Sequence, residues 1–210
     1  MIKIGRRGSL SGRLTVYGKQ GHVAYPDEAI NPFPILIKLL KPIMDENFDQ
    51  GSENFPKSTS NITSIDSNNS AYNVIPEKVE AKFNIRFNDS FTQKSLEKML
   101  IEYFDSVTNN YQVEFYCNAE PFLTKPGKVV ENISKAIKNI TNIDPVLSTT
   151  GGTSDARFIS KFCPVVEFGL IGKTAHHVDE RVSIRDIELL SKIYKEFLDN
   201  SLYFGKNDVS

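Results

Sequence analysis

The sequence predicts an α/β protein in which a ferredoxin-like β-α-β-β-α-β unit precedes a region of alternating helices and short strands. Residues 9–119 contain segments with the two-residue period of half-buried strands and segments with helical spacing, in that β-α-β-β-α-β order. After Pro121, helical segments alternate with short apolar strands, an order that is typical of parallel sheets. We therefore expect a boundary near Glu120.

Apolar periodicity defines the elements of the first region. Leu10, Leu14 and Val16 alternate with polar residues, as in a strand with one buried face. Turn-forming residues at 67–70 separate the next two strands, which should pair as a hairpin. In order, the predicted elements are strand 9–19, helix 31–45, strands 58–66 and 74–87, helix 92–106 and strand 111–117. Such a unit forms a four-stranded antiparallel sheet with both helices on one face.

The second region has the pattern of half a domain. Its predicted elements are helix 127–139, strand 146–147, helix 155–161, strand 164–169 and helix 184–202. Two short strands are too few for a stable doubly wound sheet, so this region is expected to be incomplete by itself.

A glycine-rich loop stands where strand 146–147 gives way to a helix. Gly151 and Gly152 let backbone N–H groups approach a bound anion, and Ser154 or Asp155 could cap the following helix. The N-terminus of a helix favours negative charge, so we expect a carboxylate ligand here. A turn that binds nothing is the alternative, because glycine and serine often merely form turns.

The histidines are few, and their positions indicate a site. His22 lies between a glycine and a proline, which fix the backbone around one presented side chain, although an ordinary loop histidine is the alternative. His176 and His177 follow strand 164–169, at the sheet edge where ligands bind in open α/β proteins. One metal ligand cannot build a zinc site by itself, since zinc takes three or four.

Composition excludes several classes of partner. The 210 residues are 40% hydrophobic and 24% charged, as expected for a globular protein with a substantial core. A net charge of −1 with scattered lysines argues against nucleic acid or an anionic membrane as a partner. The two cysteines form no disulfide framework, and no apolar run reaches membrane-spanning length. We therefore expect a cytoplasmic protein.

Five motifs occur together in the order and spacing of one enzyme family. They are GRRGSL at 5–10, GKQGHVAYP at 18–26, NVIP at 73–76, FNIRF at 83–87 and TTGGTSD at 149–155. With these motifs the chain resembles the C-terminal part of the metal-dependent amidohydrolases, which include succinyl-diaminopimelate desuccinylases, acetylornithine deacetylases, aminoacylases and glutamate carboxypeptidases. The resemblance covers essentially all residues. The first and last motifs favour the desuccinylases within that family.

The resemblance implies a small lid that interrupts a larger zinc-aminopeptidase-like α/β catalytic domain and forms the contact of a homodimer. Residues 1–8 would end an N-terminal catalytic segment, 9–120 would form the lid, and 121–210 the C-terminal part of the catalytic domain. The segment with the His-x-Asp motif, the bridging aspartate and the paired glutamates would precede this chain. The resemblance therefore implies that the missing N-terminal half is a partner and that the chain alone is inactive.

The resemblance also implies roles for individual residues in hydrolysing N-succinyl-LL-2,6-diaminopimelate to succinate and LL-2,6-diaminopimelate, a step of lysine biosynthesis. His22 would stabilise the oxyanion from the partner subunit. His176 would be the last ligand of a two-zinc site, in which cobalt is also possible, and Asp179 stands where family members have asparagine. The residues implied to bind the carboxylates and amide of the substrate are Arg6, Ser9, Tyr25, Asn73, Arg86, Gly152 and Thr153.

Three interpretations stay open at this point. The chain could be a truncated copy or one piece of a split desuccinylase. It could be a fragment of a related deacylase or dipeptidase, such as acetylornithine deacetylase. It could also be a non-enzymatic dimerisation module built on the lid.

Overall fold

The computed structural model describes residues 1–45 and 47–203, and for 202 and 203 only the backbone. The chain divides into two compact units. The sheet unit comprises Arg6–Phe122 and Gly151–Thr153, and the terminal unit comprises Met1–Gly5, Leu123–Thr150 and the residues from Ser154 onward. Residues 204–210, the end of the predicted C-terminal region, lie outside the described residues.

The secondary structure is mixed α/β, as predicted. The strands are β1 (Ile2–Lys3), β2 (Gly5–Arg6), β3 (Ser9–Tyr17), β4 (Gly21–His22), β5 (Thr59–Asp66), β6 (Val74–Ile75), β7 (Lys78–Arg86), β8 (Tyr111–Ala119), β9 (Phe122–Leu123) and β10 (Leu147–Ser148). The α-helices are α1 (Pro32–Leu39), α2 (Lys41–Asp45), α3 (Gln93–Val107), α4 (Lys128–Thr141), α5 (Ala156–Ile159) and α6 (Ile184–Tyr203). A 3₁₀ turn covers Pro26–Glu28.

The predicted ferredoxin-like arrangement is confirmed in the sheet unit. Its four-stranded sheet has the order β5-β7-β3-β8, and every neighbouring pair is antiparallel. Leu14 lies opposite Ala81 on one side and Val113 on the other, which fixes the register of the central strand. The predicted pairing of the second and third strands is therefore present as β5 with β7.

One face of this sheet packs against the helices and forms the main core. Leu10, Leu14, Phe83 and Ile85 point to that face and join one buried cluster with residues of α1, α2 and α3. Gly12 makes room for this packing, because a Cβ built there would lie 2.1 Å from Cζ of Phe83. The opposite face keeps its polar residues, as the two-residue alternation of β3 and β7 requires.

The helix predicted at 31–45 is two helices, which corrects the prediction. Asn31 caps α1 through a hydrogen bond from the N–H of Phe33, and α1 ends at Leu39 before α2 begins. Pro42 lacks the N–H that would bond to the carbonyl of Lys38 in a continuous helix. The hydroxyl of Tyr103, on α3, donates to that carbonyl instead at 3.0 Å. A distant side chain therefore satisfies the group that the break exposes.

The strand predicted at 74–87 is also divided. Pro76 separates β6 from β7, and proline cannot donate a hydrogen bond to a sheet ladder. β6 leaves the large sheet and pairs with β4, so that Val74 lies opposite His22. The connection between β5 and β7 is therefore longer than the predicted four-residue turn.

The terminal unit is small and helical, with a short parallel strand pair. β1 pairs with β10, and Ile2 packs with residues of α4 and α6 in a second core that includes Ile133, Ala136, Ile137 and Ile193. The strand β1 was not predicted. No helix among residues 1–45 and 47–203 combines the length and apolarity needed to cross a membrane.

The strand predicted at 164–169 is wrong, because only one antiparallel bridge, between Lys3 and Glu167, occurs there. The hydroxyl of Thr124 donates to the carbonyl of Val165 at 2.5 Å and accepts from its N–H at 3.1 Å. Both backbone groups of Val165 are thus satisfied by a side chain, and no second bridge forms beside them.

Candidate substrate-binding site

The residues singled out in the sequence fall into three groups. Arg6, Arg86 and the glycine loop form one cluster in the sheet unit, and His22 with its turn forms a second cluster there. His176 belongs to the terminal unit.

The first cluster joins two arginines to the glycine loop. Arg86 ends β7 on the polar face of the sheet, and its Nη1 donates to Oγ1 of Thr153 at 3.2 Å. A Cβ built on Gly151 would lie 2.6 Å from Nη1 of Arg6, so that guanidinium packs directly on the loop backbone. Gly151 also has a φ of +105°, a backbone conformation that residues with a side chain rarely adopt. The loop needs glycine here for its conformation and for the close approach of Arg6.

The end of the loop differs from the prediction. Neither Ser154 nor Asp155 caps α5. Asp155 occupies the N-cap position without a side-chain cap hydrogen bond, and the buried Oγ of Ser154 has no hydrogen-bond partner in the described part of the chain. α5 has only four residues. Anion binding at this loop would therefore depend on the arginines and Thr153. Gly152 is exposed, and a Cβ there would meet no atom within 4 Å.

Arg7 adds a third guanidinium to this cluster, next to Arg86, and was not predicted as a site residue. Its Nη1 donates to the carbonyl of Lys57 at 2.9 Å and to Oγ1 of Thr59 at 3.1 Å. Thr59 lies directly opposite Arg86 in the β5–β7 ladder. Burial and the positive charge of Arg86 lower the pKa of Arg7, although Asp49 opposes this. The consecutive arginines of the GRRGSL motif were the available signal.

Asp49 is the acidic group beside Arg7, and hydrogen bonds occupy its carboxylate. It accepts from the N–H groups of Gly51 at 2.7 Å and Ser58 at 3.2 Å, and from Nδ2 of Asn88 at 2.6 Å. Burial would raise the pKa of Asp49, but these hydrogen bonds outweigh burial and lower that pKa. The carboxylate therefore stays ionised and holds the 49–58 loop.

Ser9 lies close to this cluster in sequence but has a partner within the sheet. Its side chain is buried, with 1% of its surface exposed, and its Oγ accepts a hydrogen bond from Nδ2 of Asn84 at 3.1 Å. The same amide group donates to Oγ of Ser11 at 3.1 Å. The hydroxyl of Ser9 thus helps to join β3 to β7, whatever it contributes to binding.

The second cluster brings together His22, Tyr25 and Asn73. His22 ends β4, and the N–H of Tyr25 donates to its carbonyl at 2.9 Å, which closes a tight turn. The rings of His22 and Tyr25 are 5.8 Å apart at an angle of 58°. The carbonyl of Asn73, just before β6, accepts from the N–H of Val23 at 3.2 Å. All three side chains are exposed.

His176 lies in a loop that is closed by a threonine. Oγ1 of Thr174 donates to the carbonyl of Arg181 at 2.9 Å and accepts from its N–H at 3.1 Å. His176 and Asp179 both have a φ of 64°, in the left-handed region. Asparagine and aspartate adopt this conformation more readily than most residues, so aspartate suits position 179.

The described residues do not form a metal site. Across residues 1–45 and 47–203, no group of three or more His, Cys, Asp or Glu side chains could hold a metal ion. His176 is exposed and stands as a single candidate ligand. Zinc would therefore require ligands from outside the described residues.

Comparison with known proteins identifies the family. Residues 4–112 match the family model of the M20 peptidase dimerisation domain. The chain belongs to the M20 family. Most of the matched region lies in the sheet unit.

Curated M20 relatives cover nearly the whole chain. The chain is 52% identical to a succinyl-diaminopimelate desuccinylase of Pelagibacter ubique over 95% of its own length and 53% of that protein. It is 47% identical to the desuccinylase of Wolbachia pipientis wMel, over 97% of the chain and 51% of that protein. The chain thus spans about half the length of the curated relatives it matches.

Solved structures share the fold at low sequence identity. A tripeptidase of Staphylococcus aureus matches with a TM-score of 0.79 and 21% identity, over 93% of this chain and 52% of that chain. An M20 family metallo-carboxypeptidase of Sulfolobus solfataricus matches with a TM-score of 0.75 and 16% identity, over 94% and 59% respectively. These similarities support the fold alone.

Proposed function

We propose that this chain is the C-terminal half of an M20 hydrolase that removes succinate from N-succinyl-LL-2,6-diaminopimelate. The observation that carries the proposal is the 52% identity to a desuccinylase over 95% of the chain. The names of the similar proteins favour this activity over a related deacylase or a non-enzymatic dimerisation module. The remaining residues of the active site, with zinc or cobalt, would come from the other half of the enzyme.

The arginine cluster would bind carboxylates of the substrate. Arg6 and Arg86 both meet the Gly151–Thr153 loop, and a guanidinium offers two parallel donors that match a carboxylate. Arg7 adds positive charge beside Arg86, while the carboxylate of Asp49 is held by its own hydrogen bonds. The cluster would therefore suit the single free carboxylate of a succinyl group or a carboxylate of the diaminopimelate part.

His22 would act at the reacting amide. A hydrogen-bond donor placed at a developing oxyanion contributes roughly 10²–10³ in rate. Tyr25 and Asn73 lie in the same turn and strand pair, and would contact the substrate beside His22. His176 would supply one metal ligand from the terminal unit. Within residues 1–45 and 47–203 no group of three or more candidate ligands comes together, so the other metal ligands would come from outside these residues.

The surface of the terminal unit supports the assignment to half of an enzyme. Several large apolar side chains of this unit are strongly exposed, which is unusual for an independent domain. They are Ile143, Val146, Phe158, Phe162, Ile171, Val178 and Ile184. We propose that the N-terminal half of the enzyme covers part of this surface.

Reconstitution tests the proposal. The chain is mixed with, or fused to, the N-terminal half of the Pelagibacter ubique relative, and hydrolysis of N-succinyl-LL-2,6-diaminopimelate is followed. We expect no turnover by the chain alone and turnover by the combination. Robust turnover by the purified chain, or none by a folded combination, would contradict the proposal.

Substitution of Arg86 and His22 in the reconstituted enzyme tests the two clusters. Arg86→Lys keeps the charge but loses the planar fork, so we expect lower kcat/KM. Arg13→Lys is the matched control, because Arg13 lies on the same sheet face and its ion pairs are long, at 3.8 Å to Glu80 and 3.6 Å to Glu114. His22→Ala should lower kcat with a smaller effect on KM, since an oxyanion donor acts in the transition state. Small and equal effects of all three changes would contradict the assignment.

The sheet unit is proposed to form the dimer contact. Its β-α-β-β-α-β order is complete, and its core is separate from that of the terminal unit. A chain limited to residues 9–119 should therefore fold and self-associate. Light scattering that shows a folded monomer at high concentration would refute this.

A further inference from the structure

The turn after His22 places a backbone donor against the imidazole ring. The N–H of Ala24 donates to Nδ1 of His22 at 3.0 Å. A ring nitrogen that accepts a hydrogen bond carries no proton, and a neutral imidazole has one N–H. In the neutral ring the proton must therefore be on Nε2.

The opposite side of the ring is open. Among residues 1–45 and 47–203, no protein group is hydrogen bonded to Nε2 of His22, and the side chain is exposed. The ring also packs at a tilt against Tyr25, with centroids 5.8 Å apart. The turn thus holds Nδ1 and packs Tyr25 against the ring, while the Nε2–H group remains available as a donor.

We propose that the amide of Ala24 is a positioning group that sets His22 as a hydrogen-bond donor through Nε2. The identity of the acceptor, an oxygen of the substrate, rests on the proposed function, whereas the tautomer of His22 does not. In this tautomer Nε2 has no lone pair for a proton, so His22 can stabilise a developing negative charge and cannot act there as a general base. Tyr25 is a positioning residue for the same ring.

The strand pair of β4 and β6 makes this arrangement rigid. His22 lies opposite Val74 in that pair, and the N–H of Val23 bonds to the carbonyl of Asn73 at 3.2 Å. The N–H of Tyr25 closes the turn on the carbonyl of His22 at 2.9 Å. Both ends of the turn are therefore fixed before any substrate binds, as an oxyanion donor requires.

Nuclear magnetic resonance of the full chain labelled with ¹⁵N tests the tautomer without any enzyme activity. We expect a scalar coupling between the Ala24 amide nitrogen and Nδ1 of His22, with the ring proton on Nε2. His177, an exposed histidine of the same chain, is the internal control and should show no such coupling. A proton on Nδ1 of His22, or a spectrum that matches His177, would overturn the proposal.

Substitution of Ala24 tests the positioning role. Ala24→Pro removes the N–H, and Ala24→Gly keeps it. We expect the Pro variant to lose the single tautomer of His22 and the Gly variant to retain the coupling. If the Pro variant is folded and its His22 signals are unchanged, the amide does not position the ring. The measurement on the unsubstituted chain decides the proposal if the Pro variant does not fold.

Replacement of His22 in the reconstituted enzyme separates donor from base. The amide of glutamine can place an N–H near the position of Nε2, whereas that of asparagine reaches only the position of Nδ1. Such a donor contributes a factor of roughly 10²–10³ in rate. The kcat of His22→Gln should therefore be about 10-fold higher than that of His22→Ala, and the kcat of His22→Asn should be similar to that of His22→Ala. Equal loss in all three would overturn the donor role. Failure of the proposed desuccinylase activity would instead appear as no turnover with an intact Ala24–His22 coupling.

Discussion

Gly151→Ala is the substitution that tests the arginine cluster most directly. The change adds one methyl group at a residue with a φ of +105°, where a side chain costs about 1–3 kcal/mol. The new Cβ would also lie 2.6 Å from Nη1 of Arg6, against an ordinary contact distance of at least 3.4 Å. Because the guanidinium is the far end of a flexible side chain, we expect Arg6 to move away from the loop.

The displacement of Arg6 should weaken the binding of a carboxylate. A hydrogen bond to a charged group contributes about 1.5–3 kcal/mol, so its loss lowers affinity roughly 10- to 100-fold. Titration of the chain with succinate, followed through the guanidinium signals of Arg6 and Arg86, measures this change. Urea unfolding measures the cost of the backbone conformation separately.

Gly152→Ala is the matched control for backbone and packing. A Cβ at Gly152 meets no atom within 4 Å, so the free energy of unfolding and the guanidinium signals of Arg6 in the free protein should not change. The reasoning would be refuted if Gly151→Ala bound succinate as tightly as the unsubstituted chain. It would equally be refuted if both glycine variants lost the same stability.

Three further predictions concern stability and loop order. The pKa of Asp49 is lowered in the folded protein, so its contribution to stability is present above the unfolded pKa of about 3.9 and is lost as pH falls through the folded pKa. The urea midpoint of Asp49→Asn should therefore depend less on pH below about 5 than the midpoint of the unsubstituted chain. Gly12→Ala places a Cβ 2.1 Å from the ring of Phe83 and should destabilise the sheet unit by about 1–3 kcal/mol in urea unfolding. Gly169→Ala is the control, because a Cβ there would have no atom within 4 Å. Thr174→Val removes both hydrogen bonds between Thr174 and Arg181 and should speed hydrogen exchange of the Arg181 amide. Unchanged exchange would contradict the role of Thr174 in closing the loop around His176.

The sequence was sufficient for the order of the elements in the sheet unit. Apolar residues recur at two-residue spacing in β3 and β7, and the buried faces follow this alternation residue by residue. The helix α3 begins one residue after the predicted start, since Thr92 is its N-cap with Ser95 as its partner. These elements were predictable because each is decided by its own local pattern.

The errors have a common physical cause in contacts between residues far apart in sequence. The break between α1 and α2 is satisfied by Tyr103, and the missing strand around Val165 is satisfied by Thr124. A hydroxyl from a distant segment replaced the backbone partner in both cases. Local periodicity carries no information about such a hydroxyl, although Pro42 and Pro76 marked two of the interruptions.

The sequence predicted the residues of the site motifs but not the neighbouring residues that hydrogen bond to them or lie beside them. Arg6, Arg86 and the glycine loop were identified from motifs, and the structure places them together within one unit. Arg7 and the Asp49 network were missed, because their roles depend on the neighbours that the fold supplies. The Ala24–His22 hydrogen bond spans two residues, yet only the turn geometry reveals it.

The Arg86–Thr153 pair has a consequence for how this protein can change over evolutionary time. Thr153 groups with the sheet unit, although 28 residues of the terminal unit, Leu123–Thr150, separate it from Phe122 in the chain. An exchange of the contiguous block Arg6–Phe122 between homologous genes would import a new residue at position 86 and leave its partner at position 153 unchanged. A chimera joined at Phe122 would combine position 86 from one parent with position 153 from the other and could lose their hydrogen bond. We therefore expect the two positions to be inherited as a pair despite their distance along the gene.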